Sequence, residues 1–267
     1  MRKSVKQIHF ETKIIKRLTG KPLDVMKYII SDKEIQILQD YANVVSIKRL
    51  GYNDHGPVHM RKAALNSILM FELLEQAEIK LNLEKERIGT AEDSKIAVIV
   101  AAMIHDIGMT ISRQGHEYMS VNLAIPIIDR ILEQFYHSDI SKKVIMKSLI
   151  IECIFGHMAT QAIHSLEAGL VLIGDGCDME QGRSRISTIL SDRPRVGDIH
   201  RYSSTGIERV NILKGEKKPI QIRIDMSESV GFFQVEEVLF PKISFSPVKK
   251  YIELYAGVKG KDLKRYL

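Results

Sequence analysis

Two stretches of this chain stay apolar where an amphipathic helix would turn a polar side outward. From Lys95 to Met109 (KIAVIVAAMIHDIGM) hydrophobic residues cover nearly every side for about ten residues, the pattern of a helix buried all round. Gly108 is expected to end that helix, and Ser165 to Met179 (SLEAGLVLIGDGCDM) repeats the pattern. Elsewhere the periodicity is one-sided. Ala64, Ile68 and Phe71 mark the inner face of a helix that Pro57 is well placed to start, after the turn-rich GYNDHGP. Ser31-Asp32 is a cap for KEIQILQDYANVVSIKRL, within an N-terminal helical region running to Leu50. Further helices are predicted from Glu117 to Tyr136 and from Ser141 to Phe155, and Glu84 to Asp93 reads as a polar connector.

After Ser187 the texture changes. SDRPRVGDIHRYSSTG is polar and turn-rich; GIERVNIL and KPIQIRIDM then alternate as strands, joined into a hairpin at Gly215 and Glu216. Val230 to Ile243 reads as one helix and KKYIELYAG as a third strand. A β-β-α-β unit of this size cannot cover both faces of its sheet, so it should pack on the helical part or on a second copy. The predicted fold class is mainly α, a helical bundle with a small C-terminal α+β unit. The predicted division is an N-terminal helical region (1–50), a metal-binding helical domain (51–190) and a small α+β domain (205–258). An exposed sheet face or edge on that last unit would favour a homo-oligomer.

Composition narrows the class. The chain has 267 residues, 45% of them hydrophobic, enough for a substantial core. Its two cysteines, Cys153 and Cys177, sit inside apolar helical segments, which argues for small core residues in a reducing compartment rather than a disulfide scaffold. No apolar run reaches the roughly 18–20 residues of a membrane span, and MRKSVKQIHF has charges but no hydrophobic signal core, so a cytoplasmic protein is expected. The net charge of +6 is concentrated toward the ends, without the aromatic interleaving of a nucleic-acid stacking platform. Nucleic acid is therefore not the favoured partner, although a positive field would draw phosphorylated small molecules.

The chemistry lies in His59, His105, Asp106, His116, His157 and Asp175. These side chains bind divalent metals through imidazole nitrogen and carboxylate oxygen, and the set contains no thiolate, which favours a catalytic ion over a structural zinc clip. His105-Asp106 closes one apolar helix and Asp175 lies in the other. A carboxylate in such surroundings needs a positive partner.

These residues, in this order and in these helical contexts, resemble the HD-domain superfamily of metal-dependent phosphohydrolases, whose signature is H…HD…D. His59 in DHGPVHMRKAALNSI matches the first histidine, His105-Asp106 the doublet and Asp175 in VLIGDGCDM the closing aspartate. His116 and His157 match histidines of the subset that holds two metals. The resemblance runs from Gly51 to Arg185 and looks closest to archaeal-type HD proteins. Two departures stand out: the GYP signature of cyclic-dinucleotide phosphodiesterases is missing, and Gly174 replaces the usual alanine before the closing aspartate.

The resemblance implies hydrolysis of a phosphoester, nucleotide or nucleotide-like, with a metal-activated water. It implies one or two divalent transition metals per chain (Mn, Fe, Co, Ni or Zn, with Mg also admissible). His59, His105, Asp106 and Asp175 would hold one ion; His116, His157 and a bridging Asp106 would hold a second. Asp106 is thus both ligand and catalytic candidate, and Arg183 and Arg185 in GRSR are candidates to grip phosphate. Lys62 is a weaker one, and His55 and Asp178 are expected to orient ligands. Two alternatives stay open: a di-iron oxygenase using the same cage, and a non-catalytic regulator that binds a small molecule.

Overall fold

The computed structural model describes residues 3–181 and 198–267. Among the described residues nine α-helices build the larger part: α1 (Val5–Ile15), α2 (Gly20–Ser31), α3 (Lys33–Asn43), α4 (Pro57–Gln76), α5 (Asn82–Lys85), α6 (Ala91–Ile104), α7 (His116–Tyr136), α8 (Ile140–Phe155) and α9 (Leu166–Gly176). Their starts follow local chemistry. Asp32 caps α3 by accepting from the Ile35 amide at 3.1 Å, Pro57 opens α4, and Ser165 caps α9 through the Ala168 amide at 3.1 Å. Thr90 and Asp93 form a reciprocal capping box at α6.

The central element is α6. Every residue from Ile96 to Ile104 is fully buried, with α2, α4, α8 and α9 packed around it. The all-round apolar pattern is the signature of that position. The helix stops one residue before His105, earlier than Gly108 implies, and a 3₁₀ turn covers Ile107–Thr110. Gly108 is needed for a different reason: a Cβ there would lie 2.1 Å from the His116 carbonyl oxygen and 2.4 Å from the Ser120 nitrogen. The start of α7 is pressed against the His105-Asp106 turn, and only glycine leaves room.

A buried polar network ties the N-terminal helices to this core. Arg61 on α4, fully buried, donates from Nε to Glu11 Oε1 on α1 (2.8 Å) and from Nη1 to Gln39 Oε1 on α3 (2.7 Å) and the Pro57 carbonyl (2.9 Å). Gln39 passes the connection on, donating from Nε2 to the Met103 carbonyl at 2.6 Å. The helices that bear His59 and His105 are thereby held in a common frame.

The C-terminal unit is a mixed sheet of order β1-β2-β3-β4, with β1 (Ile207–Lys214), β2 (Ile220–Met226), β3 (Ile252–Val258) and the short β4 (Lys264–Arg265). β1 and β2 form the expected hairpin, β2 and β3 run parallel in the register Ile222 to Leu254, and β4 pairs antiparallel with β3. β4 was not anticipated, nor was the helix Asp198–Thr205 within the turn-rich stretch. The predicted helix Val230–Ile243 is broken into a 3₁₀ turn (Ser229–Gly231), a short α turn (Phe232–Gln234), a π turn (Val235–Leu239) and a helix (Phe240–Phe245). Pro241 explains the break, because it offers no amide to the preceding turn and the wider turn absorbs the mismatch.

The sheet's inner face (Ile220, Ile222, Ile224, Met226, Ile252, Leu254, Ala256) is fully buried and joins the same continuous core as the helices. The strands pack on α4, and the segment after β2 packs on α9. On the opposite face of β2, Arg223 and Asp225 pair at 3.0 Å, and Asn211 of β1 donates to Asp225 at 2.9 Å. Of the two packing partners anticipated for the sheet, the helical part is the one observed.

Candidate metal centre

Five structural elements deliver the six expected ligands to one buried place. His59 lies in the first turn of α4, His105 and Asp106 at the end of α6, His116 at the first residue of α7, His157 just after α8 and Asp175 near the end of α9. All six are buried, none more than 5% exposed. The α4–α9 approach depends on the departure noted above. At Gly174 a Cβ would stand 2.1 Å from Ser67 Oγ and 2.9 Å from the Ala63 carbonyl. Asn66 Nδ2 donates to the Gly174 carbonyl at 3.0 Å, locking the two helices with His59 opposite Asp175.

The side chains fall into two groups that share Asp106. His59 Nε2 lies 3.2 Å from Asp106 Oδ2 and 3.1 Å from Asp175 Oδ1; His105 Nε2 lies 3.5 and 3.7 Å from the same two oxygens and 3.2 Å from His59 Nε2. In the second group, His116 Nε2 and His157 Nε2 are 3.0 Å apart and lie 3.1 and 3.3 Å from Asp106 Oδ1. Asp106 thus gives one oxygen to each group. Ligand atoms about 2.0–2.2 Å from a common ion lie about 3–3.5 Å from each other, the spacing found in both groups except between His105 and Asp175, which are 3.7 Å apart.

Proton bookkeeping tests whether an ion fits. The Nδ1 atoms of His105, His116 and His157 each face the carbonyl oxygen three residues earlier, on Ala102 (2.9 Å), Arg113 (2.9 Å) and Ile154 (2.6 Å). His59 Nδ1 faces Asp178 Oδ2 at 2.7 Å. Carbonyl and carboxylate oxygens only accept, so in the neutral ring an Nδ1 that faces one carries the proton and its Nε2 presents a lone pair; at His116, where Arg113 Nη1 also lies 3.3 Å from Nδ1, the shorter contact to the Arg113 carbonyl favours the same tautomer. Four lone pairs therefore converge on two carboxylates, and Asp106 Oδ2 has no hydrogen-bond donor. Acceptors facing acceptors at 3 Å repel unless a cation lies between them. Residues present, spacing and tautomers all fit divalent metal, in two groups: His59, His105 and Asp106, joined by Asp175, and Asp106, His116 and His157.

The carboxylates need positive charge beside them: burial would lift the Asp106 carboxyl, and only as protonated rings do the imidazoles, His105 foremost, hold it well below the usual carboxylate range. With neutral rings that role falls to a bound cation. Burial acts against Asp175 in the same way and is overcome first by the Lys242 ammonium, then by His105 and His59. Burial pushes His157 down to about 4, keeping it a neutral ligand. The Cys177 thiol, also by burial, is pushed up to about 12, so it stays protonated and belongs to the core, as its apolar setting implied.

Asp178, expected to orient a ligand, pairs with His59 Nδ1 at 2.7 Å. His55 stands further off, its ring 5.8 Å from that of His59 and its Nδ1 2.7 Å from the Asn53 carbonyl. Lys62 Nζ sits 3.4 Å from Glu180 Oε1. Arg183 and Arg185 lie outside the described residues. The residue that sequence reasoning missed is Lys242, whose ammonium pairs with Asp175 Oδ2 and donates to the His157 carbonyl at 2.8 Å. Its only local signal is a lone lysine in the apolar run VLFPKISF.

Over 242 residues the chain is 36% identical to the uncharacterized protein MJ1020 of Methanocaldococcus jannaschii, with 91% of each chain covered. The two chains belong to one family. No protein-family model matches the chain, and no solved structure does. Among the described residues no helix is long and apolar enough to cross a membrane.

Proposed function

We propose that this protein is a metal-dependent phosphohydrolase of the HD type, acting on a small phosphorylated substrate, nucleotide or nucleotide-like. The observation that carries this reading is the cage itself: four imidazole lone pairs and two carboxylates converge in a buried site, and Asp106 divides its oxygens between two groups. A structural clip would need one closed set of ligands, whereas this arrangement provides two sets with a shared carboxylate.

A bound divalent ion would acidify a water molecule and offset negative charge on a phosphoryl oxygen. The chain's own residues do the positioning. The three carbonyls behind His105, His116 and His157, and Asp178 behind His59, fix the ring orientations and tautomers. Arg183 and Arg185 follow α9 in sequence and remain the candidates for holding phosphate. The excess of basic residues favours the approach of anionic substrates.

The test is a phosphate-release screen over nucleotides, dinucleotides, cyclic nucleotides and sugar phosphates. Metal-free protein is supplied in turn with Mn, Fe, Co, Ni, Zn or Mg. Turnover of at least one class with a specific metal is expected. Metal uptake with oxygen consumption and no phosphate release would transfer the cage to oxygenase chemistry; nucleotide binding with no turnover under any metal would make the protein a regulator.

A further inference from the structure

We propose that Lys242, supplied by the C-terminal unit, is a positioning residue of the metal centre. It keeps Asp175 to one-oxygen ligation and so reserves a coordination position for water or substrate. The inference rests on the metal reading above and deepens it. Lysines are almost never buried unless paired, and Lys242 is only 8% exposed. Its ammonium engages Asp175 Oδ2 and the His157 carbonyl, one ligand residue from each metal group.

The Asp175 carboxylate is divided as a result. Oδ1 points into the first group, 3.1 Å from His59 Nε2, while Oδ2 is held by the ammonium. A carboxylate that grips an ion with both oxygens fills two positions, and catalytic centres of this ligand type work by leaving one open. Competition for Oδ2 is the simplest way to prevent that second bond, and a charged donor competes better than a neutral one. Packing is shaped to admit the lysine: beside Asp175, a Cβ at Gly176 would lie 3.1 Å from Lys242 Cδ. The C-terminal unit is on this view part of the centre, because the helix Phe240–Phe245 that carries Lys242 is held against α9 by the same packing that covers the sheet.

The test uses full-length protein loaded with Co(II), read by visible absorption and by titration with inorganic phosphate. Wild type should show the intense bands of a low coordination number, shifting as phosphate binds. Lys242→Met should keep its cobalt but show weaker, six-coordinate-like bands, with phosphate affinity lower by about 10-fold or more. Lys242→Arg should keep the wild-type spectrum and bind phosphate within about threefold of wild type. Should the Met variant fail to fold, Lys242→Gln takes its place, and phosphate binding of wild-type strength in it overturns the proposal. So does a folded Met variant with wild-type spectrum and affinity, or one that merely loses cobalt while the residual sites look unchanged, which is what a purely structural role would produce. A wild-type protein that takes up no cobalt would instead overturn the metal reading itself.

Discussion

Two clusters of polar side chains lie equally deep in this molecule and are built on opposite logic. Around Arg61 each described donor meets an acceptor: the guanidinium finds Glu11, Gln39 and the Pro57 carbonyl, and Gln39 finds Met103. A few residues away on α4, His59 opens a cluster in which acceptors meet acceptors. Buried polar groups are ordinarily satisfied within the protein, so the first cluster reads as architecture and the second as a site made for something from outside. The contrast separates function from stability in two sets of residues that burial alone cannot tell apart.

The largest expected effect comes from emptying the second cluster. His105→Ala combined with Asp106→Ala should abolish metal uptake and phosphatase activity while leaving a mainly helical circular dichroism spectrum. Wild-type protein should gain on the order of 4 kcal/mol in stability when metal is present at about 1,000 times its dissociation constant, and the double variant should gain nothing. A wild-type melting temperature indifferent to every metal supplied would break the contrast.

The Arg61 cluster should respond in the opposite way. Arg61→Met leaves the Glu11 carboxylate and Gln39 in the core without their main donor, at a cost of about 3–5 kcal/mol. Chemical denaturation of the metal-free protein measures it. The folded fraction should still bind the wild-type amount of metal, and loss of metal with unchanged stability would show that the two clusters had been assigned the wrong way round.

Within the cage the two groups can be separated. His116→Ala or His157→Ala should lower metal content from about two to about one per chain and cost activity on the order of 100-fold, since the shared Asp106 is left serving a single group. Elemental analysis beside the rate decides it. Full metal content in both variants would reduce the second group to an assisting role and leave the first intact.

What was legible in the sequence follows the range of the signal. His105-Asp106 stands out because it ends a helix with no polar side, and His59 because Pro57 marks the helix start; these are local facts. The hairpin and the existence of a third strand were likewise readable from alternation and turn residues, though not the parallel pairing of that strand with β2. Lys242 was not, because its meaning depends on Asp175, 67 positions away in the chain, and on a crossover helix that Pro241 breaks. Gln39 and Arg61 were silent for the same reason: polar residues on helices that look amphipathic read as solvent-facing until their partners are known. β4 is a two-residue strand, too short to carry a period.

Gly174 offers the finest test of how the cage is held. A Cβ there would stand 2.1 Å from Ser67 Oγ. The single Ser67 hydroxyl proton faces both the Ala63 and the Leu170 carbonyl, 2.9 and 3.1 Å from Oγ, so the side chain cannot swing aside without giving up that buried hydrogen bond. Gly174→Ala should therefore cost about 1–3 kcal/mol by overpacking α4 against α9. Because the strain falls between His59 and Asp175, metal affinity should weaken together with stability, whereas overpacking remote from the cage would move stability alone. Adding Ser67→Ala removes the nearest clash but leaves the Ala63 carbonyl at 2.9 Å, so the pair should recover part of the loss. Stability and metal affinity that fail to recover together in the double variant would place the strain somewhere other than this helix crossing.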